Sequence, residues 1–293
     1  MEPYKRLIAT PTKTAEIMRK YDITMKKSLG QNFLVEPSIL DKMIDAAHIT
    51  KETTVIEIGP GIGALTEFLA MTAKQVLAFE IDPRFINILQ DTLSDYNNVE
   101  VIHQDILKVN FEDEAYQFLK DSADLVVVAN LPYYITTPII MHLLNSNLPF
   151  NRLIMMMQKE VAERMTAEVG TKAYNSLTIA IQNKMLANVS FIVPKSVFIP
   201  KPNVDSAVLN LVRRDQALVE VDDHRDFEKF IQVAFTQRRK TLWNNLRNYY
   251  RKGDIDLDQL EQVFTETEIE PNRRAETLTV YEFKKLYDKI LEI

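Results

Sequence analysis

The sequence predicts an α/β protein with an open, mainly parallel sheet and a hairpin at one sheet edge, followed by a small all-helical domain. Five short aliphatic runs alternate with stretches whose apolar residues recur every three or four positions. Two further β-like runs flank a proline-rich loop. After about residue 216 the strand-like runs stop, while the helical periodicity continues to the end of the chain.

The five aliphatic runs have the composition of strands that are buried on both faces. They are TVIEI (54–58), QVLAFE (75–80), VEVIH (99–103), DLVVVAN (124–130) and RLIMMMQ (152–158). The stretches ALTEFLAM and PRFINILQDTL between them have helical spacing, and such alternation is typical of a parallel sheet covered by helices. The runs NVSFIVP and DSAVLNLVRR predict the edge hairpin.

We predict three segments along the chain. Residues 1–25 form an N-terminal extension, residues 26–216 the sheet domain and residues 217–293 the helical domain. The helical domain is predicted from four amphipathic stretches, which are HRDFEKFIQVAF, RRKTLWNNLRNYY, LDQLEQVF and VYEFKKLYDKILE.

The composition is typical of a soluble protein of the cell interior. The 293 residues include no cysteine, which excludes disulfides, thiol catalysis and thiolate-bound zinc. No stretch has the character of a membrane span or of a signal-peptide core, so we expect a cytoplasmic protein without a membrane partner. The four histidines are scattered and Met155–Met157 belong to a strand-like run, so we expect no metal. Nothing in the sequence demands a dimer, and we expect a monomer.

Basic residues are concentrated in two segments, although the net charge of −6 disfavours nucleic acid as a partner. Residues 1–30 hold seven basic and three acidic residues, and residues 238–252 hold six basic residues and no acid. Trp243, Tyr249 and Tyr250 are interleaved with the second group, a mixture that suits phosphate contacts and base stacking. A solvated charged face is the alternative. The candidate RNA-binding residues are Arg238, Arg239, Lys240, Arg247 and Arg251.

The loop VIEIGPGIGALT (55–66) leads from a predicted strand through three glycines into a predicted helix. Gly59, Gly61 and Gly63 allow positive φ and let a nucleotide-like cofactor approach the helix N-terminus. Glu80 and Asp105 follow the next two strands at the same sheet edge, where they can accept hydrogen bonds from ribose hydroxyls and from an adenine amine. The pattern predicts an adenosine-bearing cofactor. Its G-x-G-x-G spacing opposes an NAD-dependent dehydrogenase, and a purely structural turn is the other alternative.

The stretch NLPYY (130–134) suits a planar base that bears an amine. Such an amine is a poor nucleophile because its lone pair is delocalised into the ring, and two acceptors on its N–H groups would aim the lone pair outward. Asn130 offers a side-chain carbonyl, and Leu131 offers a backbone carbonyl whose direction Pro132 limits. Tyr133 can stack on a flipped base. A proline-containing turn is the alternative.

Four motifs, in this order and spacing, resemble the bacterial ribosomal RNA adenine dimethyltransferases. They are KKSLGQNFL, EIGPGIGALT, NLPYYITTP and VFIPKPNVDSAV, and FTQRRKTLWNNL resembles the branch that acts on small-subunit RNA. Tyr134 stands where the family more often has asparagine.

The resemblance implies a Rossmann-like enzyme that uses S-adenosyl-L-methionine and releases S-adenosyl-L-homocysteine. Its substrate would be two adjacent adenines near the 3′ end of 16S rRNA, in a partly assembled small ribosomal subunit. The resemblance implies that Phe198 stacks on the target base opposite Tyr133. The implied cofactor residues are Asn32, Leu34, Gly59, Gly61, Gly63, Glu80, Asp105 and Asn130.

Two related functions remain open at this point. One is a large-subunit 23S rRNA adenine methyltransferase of the antibiotic-resistance type, which has the same chemistry on a different RNA. The other is a ribosome assembly factor for which methylation is incidental.

Overall fold

The computed structural model describes residues 7–23, 32–131, 135–251 and 255–293. The chain folds into two compact units. The first contains the described residues up to 162 together with residues 188–213, and the second contains residues 163–187 together with the described residues from 214 onward. Among the described residues, no helix is both long enough and apolar enough to cross a membrane.

The described strands include a central sheet of seven strands. They are β1 (Phe33–Leu34), β2 (Thr53–Ile58), β3 (Gln75–Glu80), β4 (Val99–His103), β5 (Asp124–Asn130), β6 (Arg152–Gln158), β7 (Met185–Val193), β8 (Phe198–Ile199) and β9 (Ser206–Arg213). The sheet has the order β4-β3-β2-β5-β6-β9-β7. Neighbours from β4 to β6 are parallel, and β9 runs antiparallel to β6. The parallel centre and the paired edge strands β9 and β7 confirm the predicted fold class.

Helices pack on this sheet and form most of the second unit. The described α-helices are α1 (Pro11–Lys20), α2 (Pro37–Ala47), α3 (Ala64–Thr72), α4 (Pro83–Thr92), α5 (Thr136–Leu144), α6 (Lys159–Met165), α7 (Ser176–Lys184), α8 (His224–Ala234), α9 (Leu242–Tyr250), α10 (Leu257–Thr267) and α11 (Val280–Leu291). Local sequence defines their starts. Helix α4, for example, begins with Pro83 after Asp82, whose Oδ1 accepts the Arg84 backbone N–H.

A second, two-stranded sheet joins two segments that are far apart in the chain. Strand β1 pairs antiparallel with β8, and the register places Phe33 opposite Ile199 and Leu34 opposite Phe198. Phe33, Leu34 and Phe198 are all buried in the core of the first unit. The pairing therefore brings Leu34, a predicted cofactor residue, opposite Phe198, the predicted base-stacking residue, and Asn32 precedes the same strand.

The N-terminal segment around α1 packs on the first unit. Ile8 and Ile17 are buried in its core. The backbone N–H of Ile8 donates to Glu67 Oε2 of α3 at 2.8 Å, and the Tyr21 hydroxyl donates to Asp91 Oδ2 of α4 at 2.6 Å. The segment, whose role the sequence left unassigned, thus contacts the two helices that follow the glycine loop and Glu80.

Glu67→Ala is expected to lower the free energy of unfolding by about 1–3 kcal/mol, because it leaves the buried N–H of Ile8 without its acceptor. Denaturant titration measures this. Glu16→Ala is the matched control, since Glu16 is exposed and forms a solvent-accessible ion pair with Lys13, and it should change stability by less than about 0.5 kcal/mol. Equal stabilities of the two variants would contradict the assigned role of Glu67.

The second unit contains all four helices predicted at the carboxyl end of the chain, and α7 belongs to it as well. One boundary differs from the sequence pattern. Helix α9 begins at Leu242, because the Thr241 hydroxyl caps it by accepting the Asn244 backbone N–H at 3.3 Å. Residues 238–240, predicted to be helical, instead form a turn between α8 and α9. Trp243 packs edge-on against Phe264, with ring centroids 5.8 Å apart.

Candidate active site

A cleft lies at the carboxyl ends of strands β2, β3, β4 and β5. Parallel sheets commonly bind ligands at this edge, because polar groups that follow neighbouring strands converge there. The lining includes the glycine loop after β2, Glu80 at the end of β3, Asp105 after β4 and Asn130 at the end of β5. Four predicted elements of the site therefore meet in one cleft.

The glycine loop has the backbone conformation that its composition predicts. Gly59, Gly61 and Gly63 have φ of 71°, 59° and 94°. A Cβ added to Gly61 would lie 3.4 Å from the Phe33 ring, so the loop and β1 leave little room between them. Gly63 does not line the cleft. A Cβ there would lie 3.3 Å from side-chain atoms of α4, so this glycine permits close packing of the helices.

Glu80 is buried at 4% exposure and is held by two backbone donors. Its Oε1 accepts the Asp82 N–H at 2.8 Å, and its Oε2 accepts the Gly61 N–H at 3.1 Å. Burial raises the pKa of the Glu80 carboxyl, and these two N–H groups oppose that shift in part. Each carboxylate oxygen can accept more than one hydrogen bond, so Glu80 keeps acceptor capacity toward the cleft.

Asp105 and the start of the base-binding motif lie on the same rim. Asp105 is half-buried, and its Oδ1 accepts the Leu107 N–H at 3.0 Å. A carboxylate has the capacity to accept further donors at both oxygens. Asn130 is half-buried and Leu131 is buried, and both line the cleft. Pro132 and Tyr133, the other two residues assigned to the target base, lie outside the described residues, as does Tyr134.

The β1–β8 pair supplies the remaining predicted residues. Asn32, Leu34 and Phe198 all line the cleft. Phe198 is only 4% exposed, so it is also part of the core of the first unit. A truncation at Phe198 would remove packing as well as any stacking on a base, and activity changes in such a variant have to be separated from changes in stability.

The sequence did not single out several residues of the cleft. Gln104 and Asp82 each lie next to or near a predicted carboxylate, which is a signal that could have identified them. Gln104 Oε1 accepts a hydrogen bond from the Tyr116 hydroxyl at 3.1 Å. Phe33 lies between two predicted residues and packs edge-on against Phe85 at 6.1 Å between centroids. Their position in the lining of the folded cleft, which sequence spacing does not reveal, is what distinguishes these residues.

Glu57 was also missed, because it lies within an otherwise aliphatic strand. It is 1% exposed and lines the floor of the cleft. Burial raises the pKa of Glu57 to about 8, the nearby Thr66 hydroxyl opposes the shift, and the negative charge of Glu80 adds to it. Within the described residues, neither Glu57 Oε2 nor Thr66 Oγ1 completes a hydrogen bond, so we regard burial as the dominant effect.

The predicted RNA-binding residues lie in the second unit. Arg238, Arg239, Lys240, Arg247 and Arg251 are all exposed. Arg238 already donates to Glu276 Oε2 at 3.0 Å and to the backbone carbonyl of Lys172. Of the three interleaved aromatic residues, Tyr249 is exposed, whereas Trp243 and Tyr250 are half-buried against the helical core.

A parallel sheet of this order, with a glycine loop and carboxylates at its carboxyl edge, defines a Rossmann-like methyltransferase fold. The comparison with protein families then identifies the group. The chain belongs to the ribosomal RNA adenine dimethylase family, whose model matches residues 23–286. The predicted family is therefore confirmed.

Full-length relatives and solved structures agree with this assignment. Proteins named Ribosomal RNA small subunit methyltransferase A from Enterococcus faecalis and Streptococcus pyogenes serotype M4 are 54% and 51% identical to this chain. Each alignment covers 98% of this chain, and 97% and 96% of those proteins. A dimethyladenosine transferase from Plasmodium falciparum has 29% identity and a TM-score of 0.73, and covers 88% of this chain and 97% of its own. The structure of the 23S rRNA methyltransferase ErmE is 26% identical to this chain and has a TM-score of 0.65. The match covers 88% of this chain and 98% of that protein's chain.

The chain is an enzyme whose methyl donor is S-adenosyl-L-methionine, as predicted. The residues of the cleft fit this cofactor. The glycines with positive φ have no side chain, so a ligand can approach the loop backbone closely. Two buried acidic side chains, Glu57 and Glu80, suit a ligand that is cationic at sulfur and carries hydroxyls.

The affinity for S-adenosyl-L-methionine is expected to rise between about pH 6 and pH 8. The pKa of Glu57 is raised to about 8, so the carboxyl binds a proton at neutral pH, and a cationic cofactor favours its ionised form. Below that pKa, cofactor binding therefore releases a proton. The affinity then rises by at most about tenfold for each unit by which the pH increases. Calorimetry in buffers of different ionisation enthalpy measures the proton release.

Glu57→Gln keeps the shape of the side chain and removes the titrating group, so its affinity should depend less on pH. S-adenosyl-L-homocysteine, which lacks the sulfonium charge, should also show a weaker dependence. If the unsubstituted protein and the Glu57→Gln variant show the same pH dependence of cofactor affinity, Glu57 is not the group that causes it.

Proposed function

We propose that this protein dimethylates the exocyclic amines of two adjacent adenines near the 3′ end of 16S rRNA. The substrate is a partly assembled small ribosomal subunit, and the enzyme acts as a monomer in the cytoplasm. The observation that carries the proposal is the position of Asn130 and Leu131 at the rim of the cofactor cleft. The names of the relatives, which identify the small subunit, support this choice of RNA.

We propose that cofactor recognition uses the cleft residues in distinct roles. Glu80 holds the ribose hydroxyls, Asp105 accepts from the adenine amine of the cofactor, and the loop around Gly59 and Gly61 lets the ligand approach the backbone. Leu34 of β1 and Asn32, the residue before this strand, cover the site. Gly63 contributes indirectly, because it allows α3 to pack closely on α4.

We propose that catalysis depends on alignment of the target amine. Asn130 and the Leu131 carbonyl accept its N–H groups, Pro132 limits the direction of that carbonyl, and Tyr133 and Phe198 stack on the two faces of the base. When bound, the cofactor would supply an activated methyl group that the aligned amine nitrogen could accept, with the sulfur leaving as the thioether of S-adenosyl-L-homocysteine. The methylated amine would then lose its extra proton to solvent as the site reopens. No strong base is needed, so position and exclusion of water account for the rate.

We propose that residues 217–293 act as the RNA-binding domain. The exposed basic residues from Arg239 to Arg251 would contact phosphates, which supply most of the affinity for RNA. The N-terminal residues 1–25 are an extension whose described part packs in the core of the first unit.

Mass spectrometry of RNA after incubation with S-adenosyl-L-methionine tests the function. Unmethylated small subunits, naked 16S rRNA and naked 23S rRNA are supplied in parallel. Two dimethyladenines in a single 3′-terminal fragment of 16S rRNA are expected, with assembled particles as the best substrate. Methylation of 23S rRNA alone would overturn the proposed substrate and favour the resistance-type activity.

A further inference from the structure

The cleft of the first unit concentrates negative charge. Four acidic side chains line it, and no lysine or arginine does so among the residues that the structure describes. The four are Glu57, Glu80, Asp82 and Asp105. The first three are only 1%, 4% and 6% exposed. Neighbouring carboxylates in a poorly solvated site disfavour one another's ionisation, so a positive charge outside the lining affects which of them stay ionised.

Arg84 places such a charge directly against Asp82. Its Nε donates to Asp82 Oδ1 at 2.9 Å, and its Nη2 donates to Asp82 Oδ2 at 2.5 Å, so the guanidinium binds both carboxylate oxygens. The guanidinium carbon also lies 5.7 Å from the centroid of the Phe85 ring, which is part of the cleft wall. The Asp82 side chain is 5% exposed and that of Arg84 is 36% exposed. Arg84 itself does not line the cleft, so the pair joins a half-exposed cation to a buried anion of the ligand site.

Asp82 in turn links Arg84 to Glu80. Its backbone N–H donates to Glu80 Oε1 at 2.8 Å, and its side chain caps α4 by accepting the Arg84 N–H at 3.1 Å. Burial raises the pKa of Glu80, and the negative charge of Asp82 adds to that shift. The Asp82 carboxylate raises the pKa of Arg84, and the charge of Glu80 adds to that shift as well. Arg84 is therefore attracted to both acids, whereas the two acids repel each other.

The contacts of Glu80 favour its ionised form. The Gly61 N–H donates to one carboxylate oxygen at 3.1 Å, and the Asp82 N–H donates to the other. A proton on either oxygen would compete with one of these donors. The two hydroxyls of a ribose are donors too, and a carboxylate accepts both, whereas a carboxylic acid uses one oxygen as a donor. Ribose recognition at this position therefore depends on ionised Glu80.

Other titratable groups also surround Glu80. Glu57 lies on the neighbouring strand β2, and its charge and that of Glu80 repel each other. His103 lies opposite Glu80 in the register of β4 and is exposed, and Asp105 follows that strand. Of these neighbours, all within the described part of the chain, only Arg84 carries a positive charge that does not depend on pH.

We propose that Arg84 is a positioning residue of the cofactor site, which compensates the charge of Asp82 and thereby lets Glu80 bind the ribose hydroxyls as a carboxylate. This inference rests on the proposed function, since it presupposes the role of Glu80 toward the ribose. Arg84 acts through the two acids and makes no contact with the ligand.

Calorimetric titration with S-adenosyl-L-homocysteine between about pH 5.5 and pH 8.5 tests this role. The ligand has the ribose but lacks the sulfonium, so a change of charge at residue 84 does not alter the attraction of a cation. Arg84→Gln is expected to weaken binding by about 3- to 10-fold at the acidic end, because Glu80 then binds a proton over a wider range of pH. The loss should disappear at the alkaline end, where Glu80 is ionised in both proteins. Arg84→Lys keeps the charge and should retain most of the affinity at acidic pH.

Asp82→Asn in the Arg84→Gln background separates charge from structure. Asparagine has nearly the shape of aspartate and still caps α4, but it removes the negative charge that Arg84 compensates. Most of the affinity lost at acidic pH should therefore return in the double variant. A double variant as weak as Arg84→Gln, or a loss in Arg84→Gln that is equal at every pH, would overturn the proposal.

Lys74→Gln is the matched control for the removal of a positive charge. Lys74 is exposed, lies outside the cleft and precedes β3, at the end of the strand opposite Glu80. Its affinity for S-adenosyl-L-homocysteine should equal that of the unsubstituted protein at each pH. A loss in Lys74→Gln as large as that in Arg84→Gln would show a general effect of net charge and overturn the specific role of Arg84.

Thermal unfolding of each variant shows whether the chain is folded. Should Arg84→Gln fail to fold, Asp82→Asn and the double variant still decide the matter. With residue 82 neutral, the added Arg84→Gln change should have no further effect on affinity, and a several-fold loss there would reject the inference. The Glu80→Ala variant separates this outcome from the proposed function. If Glu80→Ala loses cofactor affinity while Arg84→Gln binds normally at every pH, the ribose role of Glu80 remains and only the role of Arg84 is rejected.

Discussion

Asn130→Ala is expected to slow methyl transfer by about 10²-fold or more, with a smaller effect on cofactor affinity. Asn130 lies at the end of β5 on the rim of the cleft, where its carbonyl can accept an N–H of the target amine. Without that acceptor the amine is free to rotate out of line with the methyl group, and a small misplacement of reacting groups costs about 10²-fold in rate. Single-turnover methylation of small subunits at saturating cofactor measures this rate.

Asn130→Asp is the matched control, because a carboxylate also accepts N–H bonds and has nearly the same shape. It should retain more activity than Asn130→Ala. The second methylation should be more sensitive than the first in both variants, since a monomethylated amine has one N–H left for the two acceptors. Accumulation of monomethyladenine is therefore the expected signature. If Asn130→Ala and the unsubstituted protein transfer methyl groups at the same rate, the assignment of NLPY to the target base is wrong.

Glu80→Ala is expected to weaken S-adenosyl-L-methionine binding by about 10- to 150-fold, or about 1.5–3 kcal/mol, as for a lost hydrogen bond to a charged group. The carboxylate has two tasks at this position. It is assigned to the ribose hydroxyls, and it also accepts the N–H groups of Gly61 and Asp82. Its removal therefore loses the ligand contact and leaves two loop donors without their acceptor. Calorimetric titration with the cofactor measures the effect.

Glu80→Gln separates these two tasks. Its amide oxygen can accept from one backbone donor, but its amide nitrogen opposes the other, so the loss of affinity should be intermediate. Glu100→Ala is a control for the removal of negative charge, because Glu100 lies exposed on β4 outside the cleft, and its affinity should be unchanged. Full cofactor affinity in a folded Glu80→Ala variant would reject the ribose assignment.

Strand composition and order made much of the site predictable. The runs that became β2, β3, β5 and β6 are buried on both faces, as their aliphatic composition predicts for a parallel sheet covered by helices. The same prediction was wrong for β4, which is only partly buried because it is the edge strand of the sheet. Once those strands are parallel, Gly59, Glu80, Asp105 and Asn130 must meet at one edge because each follows a strand. Glu57 could not be predicted in this way, because the sequence around an acidic residue inside an aliphatic strand does not indicate that its side chain faces a cleft.

The sequence by itself determined the strands of the central sheet, the four helices at the carboxyl end of the chain, the sheet edge at which the polar residues gather and the family to which the chain belongs. Only the tertiary structure decided which distant segments meet. The pairing of β1 with β8 brings Asn32 and Leu34 beside Phe198, Glu67 binds the N-terminal segment, and Arg238 is turned toward Glu276. The physical reason is that periodicity and spacing describe neighbours along the chain. Contacts between distant segments depend on how whole surfaces pack, and many apolar or charged partners are equally compatible with the local pattern.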